Sequence, residues 1–156
     1  DNLLGRHIID AIVDKTKLDI SEEFVMKWLK ATNEQTPEED LKKNIHLYMH
    51  DLKWSVIRGS FEKRDGIKVE NDEVIAAAKS KSLAQLNMPM VSPELEEQFN
   101  SFADNYLKEN NGRNYVNEYE NLLTIKVLEI LKKEVSLKEK SISLDKFNDL
   151  VKNANA

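Results

Sequence analysis

From Pro37 to Asp65 nothing in the sequence has to stop a helix, and this run constrains the fold more than any other feature. Three start signals coincide at Thr36-Pro37-Glu38-Glu39: a capping Thr, a Pro for the first helical position, and Glu39 placed to close a capping box. The next firm stop is Asp65-Gly66. One helix of about 29 residues, roughly 43 Å at 1.5 Å per residue, is therefore predicted, with Gly59-Ser60 as the position for a kink. A compact chain of 156 residues would have a radius of gyration of about 15 Å and a diameter of about 39 Å. A rod of that length favours an elongated arrangement, with helices projecting from a body, over a round bundle.

The rest of the sequence also reads as helix. Four Gly and three Pro give too little punctuation for the turns of an all-β fold. A first helix is predicted from about Asn2 to Lys17, with Leu4, Ile8 and Ile12, and Ile9 and Val13, at four-residue spacing. Ser21 caps a second, which runs through Phe24, Val25, Trp28 and Leu29 with Glu22 and Glu23 in its first turn. After the short connector Ile67-Lys68-Val69, a further helix follows Asn71 to about Leu86. The segment Asn87-Met88-Pro89-Met90-Val91 then forms an apolar hairpin tip, closed by Ser92-Pro93-Glu94. The returning helix carries Leu95, Phe99, Phe102, Tyr106 and Leu107 to a break at Asn110-Asn111-Gly112. Beyond it, Leu122, Leu123, Ile125, Val127, Leu128, Ile130 and Leu131 go all the way round one helix, as expected of a segment buried on every side. Ser143 caps a last short helix whose Phe147, Leu150 and Val151 are expected to point inward.

Composition excludes several function classes. Without Cys there are no disulfides, thiolate metal sites or thiol nucleophiles. A net charge of -5 argues against a duplex nucleic-acid binder. No run approaches the ~20 apolar residues of a membrane span, so the chain is expected to be soluble, with no membrane partner. It does not begin with Met and is expected to be a fragment of something longer.

Chemistry-bearing residues are sparse. His46 and His50 stand four apart on one helix, a spacing at which two imidazoles can share a metal. However, Leu47-Tyr48-Met49 between them offers no general base, and no third ligand is in register, so a structural role is favoured for them and for His7. The carboxylate clusters Glu22-Glu23, Glu38-Glu39-Asp40 and Glu94-Glu96-Glu97 lie in first turns of helices, where capping accounts for them. No Gly-x-Ser-x-Gly elbow or Gly-rich phosphate loop is present. No catalytic residue, cofactor or metal is assigned.

Apolar side chains on projecting hairpins are the more informative feature. Two helices alone have little neighbouring structure with which to cover Val25, Met26, Tyr48 and Met49 on one hairpin, or Leu86, Met88, Met90, Val91 and Leu95 on the other. Met adapts its shape to varied partners, and exposed apolar patches mark interaction sites. These nine residues are the candidate binding surface. The competing reading packs them within the hairpins. It is preferred for Trp28, Trp54, Phe99 and Leu95, and evenly balanced for Met88, Met90 and Val91.

Four passages taken in order resemble the C-terminal part of the bacterial trigger factor family. They are Lys15-Thr16-Lys17-Leu18-Asp19-Ile20-Ser21-Glu22-Glu23-Phe24, where Ser21 replaces the family's usual Pro; Asp65-Gly66-Ile67-Lys68-Val69; Asn117 to Leu128; and Val135 to Ser143 followed by Phe147-Asn148-Asp149-Leu150. The resemblance implies an all-α fold, an elongated helical body with two protruding helical-hairpin arms. The first arm would span about 21–65, the second about 70–110, and the body 1–20 and 111–151. It also implies an ATP-independent cytoplasmic chaperone module whose partners are unfolded or nascent polypeptides. The family's ribosome-docking loop and β-rich prolyl isomerase domain have no counterpart here, so ribosome attachment is expected only through a missing N-terminal domain, and isomerase activity is not expected. The alternatives are an oligomerising helical scaffold that closes the same faces as a homodimer, and a periplasmic chaperone of related fold.

Overall fold

The computed structural model describes residues 2–33, 35–85, 93–137 and 141–154, and all regular structure among them is helical. Seven α-helices occur in those residues: α1 (Asn2–Lys15), α2 (Glu22–Thr32), α3 (Glu38–Lys43), α4 (Ile45–Asp65), α5 (Asn71–Gln85), α6 (Glu96–Glu134) and α7 (Leu144–Ala154). A 3-10 turn, Pro93–Leu95, precedes α6. The fold is all-α. The chain divides into two compact units, one of residues 1–60 and 128–156, the other of 61–127.

Local chemistry sets the boundaries. The Ser21 hydroxyl accepts the Phe24 N–H at 3.3 Å to open α2, and the Ser143 hydroxyl accepts the Lys146 N–H at 3.4 Å to open α7. At the start of α5 the Glu70 N–H donates to Glu73 Oε2 at 2.8 Å, the carboxylate half of a capping box. Gly66, at φ +62°, ends α4, and the Ile67 N–H reaches back to the Glu62 carbonyl at 3.0 Å. This is a Schellman-type closure that requires the left-handed conformation glycine adopts freely.

The predicted 29-residue rod is two helices. Asn44 interrupts it at φ -102°, ψ 7°, while its Nδ2 donates to the Asp40 carbonyl at 3.0 Å. A short amide side chain competes with the backbone for local hydrogen bonds, and here it closes α3 while the Asn44 carbonyl accepts the first bonds of α4. The length argument for a rod wider than the globule therefore falls away. Thr36 makes no side-chain cap. Pro37 occupies the cap position instead, and α4 runs through Gly59-Ser60 without interruption.

In the first unit, Val25 and Leu29 of α2 and Leu41 of α3 form a fully buried cluster, flanked by Ile20, Met26, Ile45, Tyr48, Met49 and Leu52. Gly5 faces Leu128, whose Cδ1 would lie 3.1 Å from an added Cβ. The apolar face of α7 is not turned inward: Leu144, Phe147 and Leu150 are all exposed, Phe147 at 46%. Of the residues expected to point inward, Phe147 and Leu150 are exposed and Val151 is half-buried; the sequence grouped them on one helical face but could not supply an element to cover it.

In the second unit, Val74 and Ala78 of α5 pack on Ala103 and Leu107 of α6. Two alanines with no exposed surface at this contact let the helices approach closely. Helix α6 holds the expected break: Asn110, Asn111 and Gly112 are all left-handed, with φ of 52°, 58° and 78°. Asn114 Nδ2 bonds the Tyr106 carbonyl across it at 2.9 Å. After the break, burial follows Leu123, Val127 and Leu131 at four-residue spacing, but Ile125 is 53% exposed. The helix is amphipathic rather than buried all round, because residue 125 lies about 160° from the mean of that stripe at 100° per residue.

Candidate functional site

Helix α2 carries two apolar pairs, each four residues apart. Val25 and Leu29 face Leu41 and are buried, whereas Phe24 and Trp28 remain 66% and 51% exposed. Aromatic groups of that size bring a large transfer free energy to any apolar segment that covers them. Lys27 pairs with Glu23 at 2.7 Å beside them, and Glu38 accepts from Lys30 at 2.8 Å and Lys42 at 2.7 Å. The two ammonium groups, Lys30 first, hold the Glu38 carboxyl at about 2, below its usual range. Ion pairs therefore share α2 with the aromatic residues.

A second apolar strip lies in the other unit. Leu95 of the 3-10 turn is exposed, Phe99 is half-buried and Phe102 is 57% exposed, while Ala103 and Leu107 on the adjoining face are buried.

The sequence-predicted residues divide three ways. Val25 is a core residue and presents no surface, because α3 folds back to place Leu41 against it. Met26, Tyr48 and Met49 are brought together around that same cluster and keep partial exposure. Leu95 is exposed, and Leu86, Met88, Met90 and Val91 lie outside the described residues. Of the residues read as packing, Trp54 is buried but Trp28 is not. Sequence reasoning passed over Phe24 and Phe102 as candidates. The available signal was that neighbouring positions on each helix were also apolar, leaving one pair surplus to the core.

The histidines do not converge. His46 is exposed, whereas His50 Nε2 lies 3.0 Å from Asp10 Oδ1 of α1. Among the described residues no group of three or more His, Asp or Glu side chains is placed to hold a metal. No helix among them is long and apolar enough to cross a membrane.

Comparison with curated proteins and with solved structures gave no match. The family described as "Probable trigger factor, C-terminal domain" matches residues 4–151, almost the whole chain, and the chain belongs to that family.

Proposed function

We propose that the chain is an ATP-independent chaperone module that holds unfolded or nascent polypeptides by their apolar segments. The observation that carries this reading is the exposed Phe24–Trp28 pair on a helix whose other apolar pair already fills the core. A protein of the trigger factor C-terminal domain family with surplus aromatic surface has a use for it in covering client side chains. The Leu95–Phe99–Phe102 strip supplies a second contact region. Leu86, Met88, Met90 and Val91 supply a third by their apolar sequence, with Met26, Tyr48 and Met49 contributing their exposed edges. Residues of about 21–65 and 70–110 serve as the two binding arms, in the cytoplasm. Each contact is weak alone, and several engaged together hold a client while leaving each free to release.

The test uses a Trp54→Phe chain, in which Trp28 is the only remaining indole. Addition of a denatured test protein diluted from guanidinium is expected to blue-shift Trp28 emission and to slow light-scattering growth. Phe24→Ser/Trp28→Ser in the natural background is expected to lose most of that suppression while keeping its helical circular dichroism. Full suppression by the double variant would overturn the α2 assignment. A concentration-dependent dimer indifferent to client would favour the scaffold reading.

A further inference from the structure

We propose that Asn111 is a site of spontaneous deamidation, controlled by opening of the left-handed break in α6. Asn111-Gly112 is the only Asn-Gly pair in the sequence. Asn111 is solvent-exposed at φ 58°, ψ 38°, between two further left-handed residues. Gly112 carries no side chain, and a Cβ added there would meet nothing within 4 Å, so no side-chain bulk at the following residue crowds the approach to Asn111.

The reaction balances with water as the only co-reactant. The Gly112 nitrogen attacks Cγ of Asn111, its proton is relayed through water to the side-chain nitrogen, and that nitrogen leaves as ammonia, giving a cyclic imide. Water then opens either imide carbonyl. One product is aspartate. The other is isoaspartate, in which the main chain runs through the former side chain and is one methylene longer.

Ring closure requires ψ of Asn111 to rotate away from 38°, so the folded break must open first. Left-handed backbone is costly for residues with a Cβ, though least so for Asn and Asp, and strained exposed segments open at the low end of a protein's local stability range. Asn100, Asn117 and Asn121 sit in continuous helix, with Ser, Glu and Leu after them, and lack both conditions. The product adds a negative charge to the break. As isoaspartate it also alters the spacing spanned by the Asn114 to Tyr106 bond.

The experiment is peptide mapping of the full chain after prolonged incubation in warm neutral buffer, with aspartyl and isoaspartyl peptides separated. Expected is conversion at Asn111, mostly to isoaspartate, while Asn100, Asn117 and Asn121 remain amides. Amides around residues 109–114 of the converted chain should lose hydrogen-exchange protection, and Asn111→Gln should abolish the conversion. An intact Asn111, conversion at Asn110 instead, or conversion no faster than at the helical asparagines would each overturn the proposal.

Discussion

Lys81 Nζ stands 2.7 Å from Oε1 of Glu118, a carboxylate with only 7% of its side chain exposed. Tyr106 donates to the same oxygen at 3.0 Å and accepts from Lys81 at 3.3 Å. The three groups tie α5 to both stretches of α6 within one unit. Glu118 and then Tyr106 raise the Lys81 pKa above 10.5, so the stabilisation is fully present below that value and lost as pH rises through the higher folded one. Lys81→Met should leave the carboxylate one partner short, at a cost of about 1–3 kcal/mol at neutral pH. Lys81→Met/Glu118→Leu should be less destabilised than the two single variants added together, because no buried charge is left behind. Urea midpoints of the four chains decide it, and strict additivity would remove the coupling.

Acid should act on the α2–α3 junction in a defined window. Glu38 titrates at about 2 in the folded chain and near 4.5 otherwise, the Lys30 and Lys42 hydrogen bonds being the cause. A depressed carboxyl contributes stability above its unfolded value that is lost as pH falls through the folded one. The contribution of Glu38 should therefore be constant from neutrality down to about pH 4.5 and disappear between there and about 2. Both partners are exposed, so the effect is small. The check is the difference in thermal midpoint between the natural chain and Glu38→Gln, which should shrink across that window and stay level above it.

The elements whose boundaries depend on a local bond were legible in the sequence. Ser21, Ser143, Gly66 and Asn110-Asn111-Gly112 end or begin helices through groups within a few residues of them, and each stands where expected. Asn44 was not legible although its bond to the Asp40 carbonyl is equally local, because a helix interior also tolerates Asn; the break goes with the packing of Leu41 on Val25 and Leu29. The same tertiary choice hid the surface. Phe24–Trp28 and Val25–Leu29 have identical spacing on α2, and the sequence alone gives no reason for one pair to be turned out. Periodicity likewise placed Phe147 and Leu150 on one face of α7 without saying whether anything covers it.

That choice can be tested on stability alone. Leu41→Ala should cost about 2–5 kcal/mol, since it opens a cavity in a fully buried cluster. Phe24→Ser and Trp28→Ser should each shift stability by no more than about 0.5 kcal/mol, as exposed substitutions do. Denaturant melts of the three chains provide the comparison. A Trp28→Ser chain as unstable as Leu41→Ala would mean that Trp28 is packed in solution.

Gly59 within α4 and Gly66 just past its end should respond in opposite directions to the same change. Gly59 lies in the helix interior, and an added Cβ meets nothing within 4 Å. Gly59→Ala removes unfolded-state freedom without a clash and should stabilise by about 0.5–1 kcal/mol. Gly66 has equally open space but sits at φ +62°, where the Ile67 to Glu62 bond closes the helix. Alanine there must adopt a left-handed backbone at a cost of about 1–2 kcal/mol, or give up that closure. Space is the same at both positions, so any difference in sign comes from backbone conformation alone. Urea midpoints moving up for Gly59→Ala and down for Gly66→Ala, with unchanged slopes, are the expected result. Equal shifts would show that α4 does not end in a left-handed residue at Gly66.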